Sequence, residues 1–564
     1  MTETRLSYDR GATTPPLLDE TIGKVLDRVA LAHPDQDALI IPYQKVHWSW
    51  SELAERASQL AAALLGVGLE RGDRVGIWAP NCAEWTLTQF ATAKAGLVLV
   101  NINPAYRTFE LEYALNKVQC KALILAPRLK SSNYVAMLNE LIPELSTSTP
   151  GELRAEALSH LRTVIVLGEE SSPGMYSFNE VSERSTNEDH ARLRGTAGSL
   201  KPDDPINIQF TSGTTGAPKG ATLSHRGILN NGFFVGEAIG LGLQDRLCVP
   251  VPLYHCFGMV MGNLGCLTHA STIVYPGESF DPGAVLETVS SERCTALYGV
   301  PTMFIAVLDH SEFSDFDLSS LRTGIMAGSP CPIEVMKRVI GEMHLSEMTI
   351  AYGMTETSPV STQTDREDAL ERRVSSVGRV QPHVEIKIID EQGATVPRNT
   401  PGEFCTRGYS VMVGYWDDKE RTRDAIDAEG WMHTGDLATM DDQGYANIVG
   451  RLKDMVIRGG ENLYPSEIEE FLYTHPKIQE AQVIGVPDEK YGEEICAWVR
   501  LGAGEKATED DIRDFCKGRI AHNKIPRYVR FVDDFPTTVT GKIRKFEMRK
   551  TMIRELGLAE EKTA

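Results

Sequence analysis

The residues best suited to chemistry form one loop, 211–219, with the sequence Thr-Ser-Gly-Thr-Thr-Gly-Ala-Pro-Lys. The loop follows an apolar run, Ile206–Phe210, and precedes Gly220–His225, and both runs are typical of strands. Glycines let the backbone approach an anion, and main-chain N–H groups and hydroxyls donate to its oxygens. The loop is therefore predicted to bind phosphate. Its candidate contacts are Thr211, Ser212, Gly213, Thr214, Thr215, Gly216 and Lys219.

This loop differs from the P-loop of nucleotide-binding proteins. A P-loop needs a second glycine directly before a lysine that opens a helix. Counting from Gly213, Pro218 stands at the position of that second glycine, and a strand is expected after Lys219. A polar turn without function is the alternative interpretation, because clusters of Gly, Ser and Thr are common in loops.

Two carboxylates stand at positions typical of ligand binding. Glu356 follows Thr355 shortly after an apolar run, Met348–Ala351, and a hydroxyl followed by a carboxylate at a strand end suits a hard cation such as Mg²⁺. Asp436 ends the run Trp431–Asp436, and a carboxylate can accept both hydrogen bonds of a ribose diol. An ordinary strand exit and an ordinary turn aspartate are the alternatives.

A basic segment and a histidine complete the candidate residues. The run Thr537–Lys545 carries Lys and Arg side chains, which usually indicates a solvated face. Turn residues, Pro536 and Gly541, accompany it, and Lys542 directly follows the glycine, which favours a defined role. His255 lies in an aromatic segment, although a lone histidine is more often structural.

Apolar runs typical of strands alternate with helical patterns through most of the chain. Val75–Trp78 precedes a helix expected near 83–96, and Leu97–Val100 precedes one near 108–117. Such alternation predicts βαβ units and mostly parallel sheets. The polar, weakly periodic stretch 169–198 is expected to form loops or surface excursions.

The pattern of predicted strands and helices changes in the last third of the chain. From about Val384, short strands separated by glycine-rich turns predict a small β-rich subdomain. The tail from about Lys453 again alternates strands and helices, and it is long enough to form its own small α/β domain. A domain boundary near Lys453 follows from this pattern.

Composition limits the binding partners and the cellular compartment that can be expected for this chain. With 57 basic and 78 acidic residues, the formal charge is −21, which argues against nucleic acid and anionic lipid as partners. The ten cysteines form no C-x-x-C pair, so a zinc site has no support and reduced thiols are expected. The chain shows no signal peptide, no integral membrane segment and no peroxisomal tripeptide. A cytoplasmic protein with small-molecule substrates is expected, and nothing in the sequence indicates its oligomeric state.

The complete loop 211–219 closely resembles the phosphate loop of the adenylate-forming (AMP-binding) superfamily, which comprises acyl-CoA synthetases, stand-alone adenylation domains and firefly-type luciferases. Tyr352–Thr357 matches the family's Tyr-Gly-x-Thr-Glu motif, and Ala327–Pro330 matches its adenine-side turn. Trp431–Asp436, with the preceding glycine, matches Gly-Trp-x-x-Thr-Gly-Asp, and the segment around Lys542 matches the last motif. The matches occur in the family's order over nearly the whole chain, which is particularly similar to medium-chain fatty acyl-CoA synthetases.

The resemblance implies a role for each matching residue. Thr355 would meet phosphate, Glu356 would hold Mg²⁺, and Lys542 would bridge the substrate carboxylate and the α-phosphate. His255 would border the acyl pocket as a binding residue, and Lys453 would be the hinge between domains. The implied adenine and ribose contacts are Gly328, Ser329, Pro330, Tyr352, Asp436 and Arg451. The implied path of the thiol passes Gly459 and Gly460.

The resemblance also implies an architecture and a reaction. The fold would be α/β, with a large N-terminal region of two wound α/β sheets plus a β-rich subdomain, followed by a small mobile C-terminal α/β domain. Residues 1–452 would form the adenylation domain and 453–564 the mobile domain that carries the catalytic lysine. The implied activity is ATP-dependent ligation of a carboxylic acid to coenzyme A, through an acyl-adenylate and with release of pyrophosphate and AMP.

The acid is inferred from the segments that the resemblance places near the pocket. Tyr298–Pro301, Phe304, Met326–Ala327 and Met354 are apolar or small, and no lysine or arginine stands among them. A medium-chain fatty acid is therefore expected, with an aromatic or branched acid as an alternative. A stand-alone adenylation enzyme that loads a carrier-protein thiol, an amino acid substrate and a luciferase-like monooxygenase also remain open. A binding module without catalysis would be expected to lack Lys542 or Glu356.

Overall fold

The computed structural model describes residues 5–168, 172–211, 218–329, 331–451, 454–458, 461–488, 490–538 and 542–558, apart from the side chains of Arg451 and Asn462. Within these ranges the α-helices span Ile22–Ala32, Trp50–Gly66, Ala83–Ala95, Thr108–Lys117, Tyr134–Leu141, Phe178–Glu183, Asn187–Ser199, His225–Ala238, Gly265–His269, Pro282–Ser291, Pro301–Leu308, Ile333–Glu342, Leu370–Ser375, Lys419–Ala425, Pro465–Tyr473, Glu509–Cys516 and Lys545–Leu556. A π-helix spans Phe257–Leu264, and 3₁₀-helices span Pro42–Gln44, Pro143–Thr147, Phe313–Asp315, Thr355–Thr357 and His522–Lys524.

The first large sheet carries the start of the phosphate-loop candidate. Its strands lie in the order Tyr176–Ser177, Thr163–Val166, Ala122–Leu125, Arg74–Trp78, Val98–Asn101, Pro205–Thr211, Lys219–Ser224 and Gly414–Tyr415. Neighbours are parallel as far as Pro205–Thr211, and the last two pairings are antiparallel. Because parallel strands end at the same edge, Thr211 lies at the carboxyl edge of this sheet.

The second large sheet carries the candidate metal and adenine residues. Its strands lie in the order Arg379–Val380, Val360–Gln363, Glu347–Gly353, Thr323–Ala327, Ala296–Gly299, Arg246–Cys248, Thr272–Val274, Asp37–Ile41 and Val46–Ser49. The inner strands, from Glu347–Gly353 to Asp37–Ile41, are parallel, and the outer pairings are antiparallel. The predicted mixed α/β fold with wound parallel sheets is confirmed.

Two smaller sheets complete the chain, together with a short hairpin of Arg128–Leu129 and Ser132–Asn133. An antiparallel sheet contains Tyr8–Arg10, Val384–Ile389, Gly402–Gly408, Met432–Met440 and Ala446–Arg451. The last sheet contains Glu461–Leu463, Val456–Arg458, Gly492–Leu501 and Ile478–Asp488, with Tyr528–Phe531 paired to Gly492–Leu501. The boundary near Lys453 falls between these sheets but stays a prediction, because residues 452 and 453 lie outside the described ranges.

Helices between the two large sheets form the main core. The helix Trp50–Gly66 begins with the capping box predicted from its sequence, in which Ser49 and Glu52 accept hydrogen bonds from each other's backbone N–H groups. It packs against the helix Ala83–Ala95, which is buried at every residue except Glu84. One helix contacts strands of the second sheet and the other contacts strands of the first. This shared core holds the carboxyl edges of both sheets in fixed positions.

The expectation of loops in 169–198 is wrong for much of that stretch. Helices span Phe178–Glu183 and Asn187–Ser199. The second helix buries only Leu193, so its sequence shows almost no apolar periodicity. A capping box of Thr186 and Asp189 fixes its start instead. None of the helices in the described ranges combines the length and the apolar composition needed to cross a membrane.

Candidate active site

The candidate residues come together where the carboxyl edges of the two large sheets meet the antiparallel sheet. Thr211 ends a strand of the first sheet, and Tyr352 lies near the end of a strand of the second. The 3₁₀-helix Thr355–Thr357 follows directly and carries Glu356. Asp436 lies on a strand of the antiparallel sheet. Carboxyl edges of parallel strands are the usual place for ligands in α/β proteins.

The Glu356 carboxylate is almost enclosed, with 5% of the residue exposed. Its Oε1 accepts a hydrogen bond from Thr211 Oγ1 at 3.2 Å and a second from the Tyr415 hydroxyl at 2.8 Å. Lys219 Nζ lies 4.9 Å from the centre of the Tyr415 ring, within range of a cation–π contact. Thr211, at one end of the phosphate loop, thus contacts the predicted metal ligand directly. Tyr415 links Glu356 to Lys219, at the other end of the loop, and it was not identified from the sequence.

The predicted adenine and ribose contacts also lie together. The Tyr352 hydroxyl donates to Asp436 Oδ2 at 2.7 Å, so the second large sheet and the antiparallel sheet meet at this pair. Strand register places Asp436 opposite Arg451, the other predicted ribose contact. Gly328 and Ser329 follow the strand Thr323–Ala327, which pairs in parallel with the strand of Tyr352. Gly328 has φ +92°, a conformation that favours glycine, at this turn.

A cluster of polar side chains supports the strand Met432–Met440 just before Asp436. Glu403 Oε1 accepts from the Gly435 N–H at 3.0 Å, and its Oε2 lies 3.0 Å from His433 Nδ1. Cys405 Sγ lies 3.6 Å from the same nitrogen. Cysteine spacing could not indicate this group, because its members come from two strands. Their donor atoms are close enough to hold a metal ion, but the hydrogen bonds already account for their positions.

The charge of Lys542, near the C-terminus, acts on His255 in the N-terminal part. His255 is half-buried by exposed area, but it lies among dense neighbours, and this desolvation together with the charge of Lys542 lowers its pKa to about 4. Phe257 N–H donates to His255 Nδ1 at 3.2 Å. A ring nitrogen that accepts a hydrogen bond requires a neutral imidazole. The charge of Lys542, in the C-terminal part, therefore acts on a residue that lies two positions before the π-helix Phe257–Leu264. The prediction that His255 is a binding residue and not a base stays a prediction.

Cys256 borders the same site and was not identified from the sequence. Its Sγ donates to Gln209 Oε1 at 3.2 Å, and burial followed by the nearby charge of Glu356 raises the pKa of its thiol to about 12. Gln209 in turn donates to Asn207 Oδ1 at 2.9 Å. Such a fully paired buried chain fixes the strand that leads into Thr211. The thiol stays protonated at neutral pH, so it is structural and not a nucleophile.

A small pocket with an apolar lining lies beside the strand Ala296–Gly299. Of the residues expected near the acyl pocket, Tyr298, Gly299 and Phe304 line it, whereas Pro301, Met326, Ala327 and Met354 do not. The Tyr298 hydroxyl donates to the Met261 carbonyl at 3.3 Å. Among the described residues that line it, none is charged. The lining of this pocket is therefore apolar and uncharged.

Several predicted contacts lie outside the described part of the chain, and their roles stay predictions. They are Ser212, Gly213, Thr214, Thr215, Gly216, Pro330, Lys453, Gly459, Gly460 and the side chain of Arg451.

Comparison with known proteins agrees with this geometry. Residues 26–416 match the model of the AMP-binding enzyme family, and residues 467–542 match that of the AMP-binding enzyme C-terminal domain. The chain is similar to the medium-chain acyl-CoA ligase ACSF2, mitochondrial, of Danio rerio, with 46% identity over 555 residues, covering 98% of this chain and 91% of that protein.

Solved structures share the fold. The anthranilate CoA ligase AuaEII in complex with anthranoyl-AMP superposes with a TM-score of 0.84 at 27% identity, covering 96% of this chain and 99% of that one. A Mycobacterium tuberculosis fatty acyl CoA synthetase superposes with a TM-score of 0.69 at 28% identity, covering 95% and 99%. Taken with the paired Tyr352 and Asp436 and the enclosed Glu356, the match over most of its length means that this chain belongs to the AMP-binding enzyme family.

Proposed function

We propose that this chain is an ATP-dependent acyl-CoA synthetase whose main substrates are fatty acids of medium length. In the first half-reaction a carboxylate oxygen attacks the α-phosphorus of ATP, the bond to the bridging oxygen breaks, and pyrophosphate leaves. In the second, the sulfur of coenzyme A attacks the acyl carbon of the adenylate. The bond from that carbon to the phosphate oxygen breaks, AMP leaves, and the thiol proton passes to water.

One observation carries the proposal: the enclosed Glu356 carboxylate accepts hydrogen bonds from Thr211, at the start of the predicted phosphate loop, and from Tyr415. The charge of Lys542, from the C-terminal part, acts on nearby His255 and lowers its pKa. Charge that develops on a phosphate needs this kind of preorganised stabilisation more than it needs a strong base. In the proposed reaction Lys542 stabilises the α-phosphate and orients the acid carboxylate.

The donor set around Glu356 fits Mg²⁺, which prefers one or two carboxylates together with phosphate oxygens and water. Glu356 would hold the ion, with the Thr355 hydroxyl beside it. When bound, Mg²⁺ neutralises phosphate charge and helps pyrophosphate to leave. The residues of the chain do the remaining work: Tyr352 and Asp436 orient the nucleoside, and Lys219 supplies positive charge near the end of the phosphate loop.

The choice of a fatty acid is supported by the apolar lining of the pocket at Gly299 and Phe304 and by the name of the ACSF2 relative. A second charge on the substrate would find no partner among the described lining residues. A cytoplasmic location and the division into an adenylation domain, 1–452, and a mobile domain, 453–564, complete the proposal. The name of the ACSF2 relative gives a mitochondrial location for that protein.

The test is formation of AMP and acyl-CoA with a panel of straight-chain, branched, aromatic and amino acids. Each added methylene should raise kcat/KM by up to about fourfold, from ~0.8 kcal/mol per buried CH₂, until the pocket is full. The profile should rise with chain length and then fall. A flat profile over straight chains, or transfer to a carrier-protein thiol in preference to coenzyme A, would contradict the proposal.

Aromatic acids form a second candidate class. The solved structure with a TM-score of 0.84 is that of an anthranilate CoA ligase. Benzoate and anthranilate therefore belong in the panel. A strong preference for either over every fatty acid would support this class and replace the first proposal.

A further inference from the structure

The orientation of the Glu356 carboxylate is set by residues distant in sequence. Within the described part of the chain, both hydrogen bonds that its side chain accepts fall on Oε1, from Thr211 and from Tyr415. Its backbone carbonyl also accepts from the Met412 N–H at 2.9 Å. With Oε1 held twice, Oε2 is the oxygen left to face a ligand.

Tyr415 reaches Glu356 from an edge of the first sheet. It lies on the short strand Gly414–Tyr415, paired in antiparallel register with Ala221, and 8% of the residue is exposed. Its N–H donates to Thr422 Oγ1 at 2.9 Å, so its own backbone is fixed.

The Tyr415 ring has a second contact that separates its two functions. Lys219 Nζ lies 4.9 Å from the ring centre, whereas the hydroxyl reaches Glu356. Replacing Tyr415 by phenylalanine keeps the ring for the lysine and removes only the donor. Replacing it by leucine removes both.

We propose that Tyr415 is a positioning residue for the metal-holding carboxylate: its hydroxyl fixes Glu356 Oε1 so that Oε2 faces the divalent cation that accompanies ATP. This inference rests on the proposed function for the identity of the nucleotide. Without the hydroxyl, Glu356 keeps only the longer bond from Thr211 and can rotate away from the cation. The loss should appear in affinity for the cation first and in turnover at saturating cation much less.

The experiment compares Tyr415→Phe with the wild type and with Tyr134→Phe, a matched control whose buried hydroxyl donates to the Pro104 carbonyl at 2.7 Å. Binding of Mn²⁺ in the presence of ATP is followed by electron paramagnetic resonance, and ATP binding in EDTA by calorimetry. Tyr415→Phe should weaken Mn²⁺ binding roughly tenfold, as expected for a hydrogen bond to a charged group. ATP binding without metal should be unchanged, and Tyr134→Phe should match the wild type.

A double-mutant cycle with Glu356→Gln shows whether Tyr415 acts through Glu356. The effect of Tyr415→Phe on Mn²⁺ binding should largely disappear in the Glu356→Gln background. An equal loss in both backgrounds, or wild-type Mn²⁺ affinity in Tyr415→Phe, would overturn the inference. If Tyr415→Phe does not fold, Tyr415→Leu replaces it, and wild-type Mn²⁺ affinity there would overturn the inference equally.

The same measurements separate this inference from the proposed function. If the wild type forms no AMP with any acid but Tyr415→Phe still weakens Mn²⁺ binding, the acid–CoA ligase proposal fails and the positioning role stands. If the wild type makes acyl-CoA and Tyr415→Phe binds Mn²⁺ normally, the positioning role fails alone.

Discussion

Single polar atoms in enclosed positions define the site at the residue scale. The Glu356 carboxylate is held by the hydroxyls of Thr211 and Tyr415, and Asp436 is held by Tyr352. An enclosed carboxylate without partners is costly, so these donors both stabilise the groups and aim them. Catalysis is expected to depend on this aim, because stabilising phosphate charge requires fixed groups and not a base.

Glu356→Gln should lower kcat/KM of the first half-reaction roughly 10²-fold, because an amide binds a hard cation poorly. The fold should persist, since the amide oxygen can still accept from Thr211 and Tyr415. The measurement is ATP-dependent acyl-adenylate formation at several Mg²⁺ concentrations, with thermal unfolding as a check. Glu342→Gln, at an exposed helix position, serves as the control. Near-normal turnover of Glu356→Gln at ordinary Mg²⁺ would place the metal elsewhere.

Local signals in the sequence predicted the motif residues but not their partners. Glu356, Tyr352 and Asp436 stand in short motifs that a reader of the sequence can find. Tyr415 is 59 positions from Glu356, and the two meet only because a short edge strand pairs with Lys219–Ser224. Contacts of this kind depend on strand pairing between distant segments, and no spacing along one sequence reveals them.

The predictability of whole elements followed the strength of their apolar patterns. The strand Ala122–Leu125 and the helix Thr108–Lys117 match apolar or amphipathic runs in the sequence. The helix Asn187–Ser199 buries only Leu193, so the sequence carried almost no signal for it. The strand Tyr8–Arg10, which pairs with Val384–Ile389, is likewise specified by a distant partner.

One buried histidine joins two helices and should make stability depend on pH. His225 opens the helix His225–Ala238, and its Nδ1 accepts from the N–H of Ile22, the first residue of another helix, at 3.2 Å. Burial lowers the pKa of His225 to about 4 from an ordinary value of 6.5. Between these values the unfolded chain binds more protons than the folded one, so stability is complete above about pH 6.5 and falls as the pH is lowered toward 4.

His225→Asn should flatten this dependence, because an amide oxygen can still accept from Ile22 but does not titrate. The wild-type free energy of unfolding should fall by up to about 3 kcal/mol from this group over the window. Urea unfolding at pH 7.5 and pH 5 measures the difference. His160→Asn, which removes an exposed imidazole, is the control and should keep the wild-type slope. An unchanged slope in His225→Asn would show that His225 is not the titrating group.

At the scale of the whole molecule, polar contacts link the C-terminal part to the N-terminal part. These contacts include the Ile333 N–H donating to Glu470 Oε2 at 3.3 Å and Ser466 Oγ donating to the Val449 carbonyl at 2.8 Å. Burial raises the pKa of Glu470 to about 7, so this contact includes a carboxyl that titrates near neutral pH. Polar interfaces of this kind allow domains to move relative to one another. The charge of Lys542, in the C-terminal part, lowers the pKa of His255 in the N-terminal part.

The two half-reactions should respond differently to two lysine substitutions. Lys542→Ala should reduce acyl-adenylate formation by roughly 10²-fold or more, yet largely spare thioester formation from supplied acyl-adenylate. Lys453→Pro should do the reverse, because proline fixes φ and hinders rotation at the predicted hinge. Both half-reactions are measured on both variants. If both variants lose activity in the same half-reaction to the same degree, the C-terminal domain does not rotate between the two steps.

Transfer of oxygen from the acid to AMP tests acyl-adenylate formation most directly. The best acid of the panel, labelled with ¹⁸O in both carboxylate oxygens, is incubated with ATP and coenzyme A. The masses of the products are then measured by mass spectrometry. Because the attacking carboxylate oxygen stays on phosphorus when the thioester forms, AMP should gain one ¹⁸O and pyrophosphate none. Lys542→Ala should produce little labelled AMP in the same time. Unlabelled AMP, or ADP with labelled phosphate, would contradict activation of the acid through an adenylate.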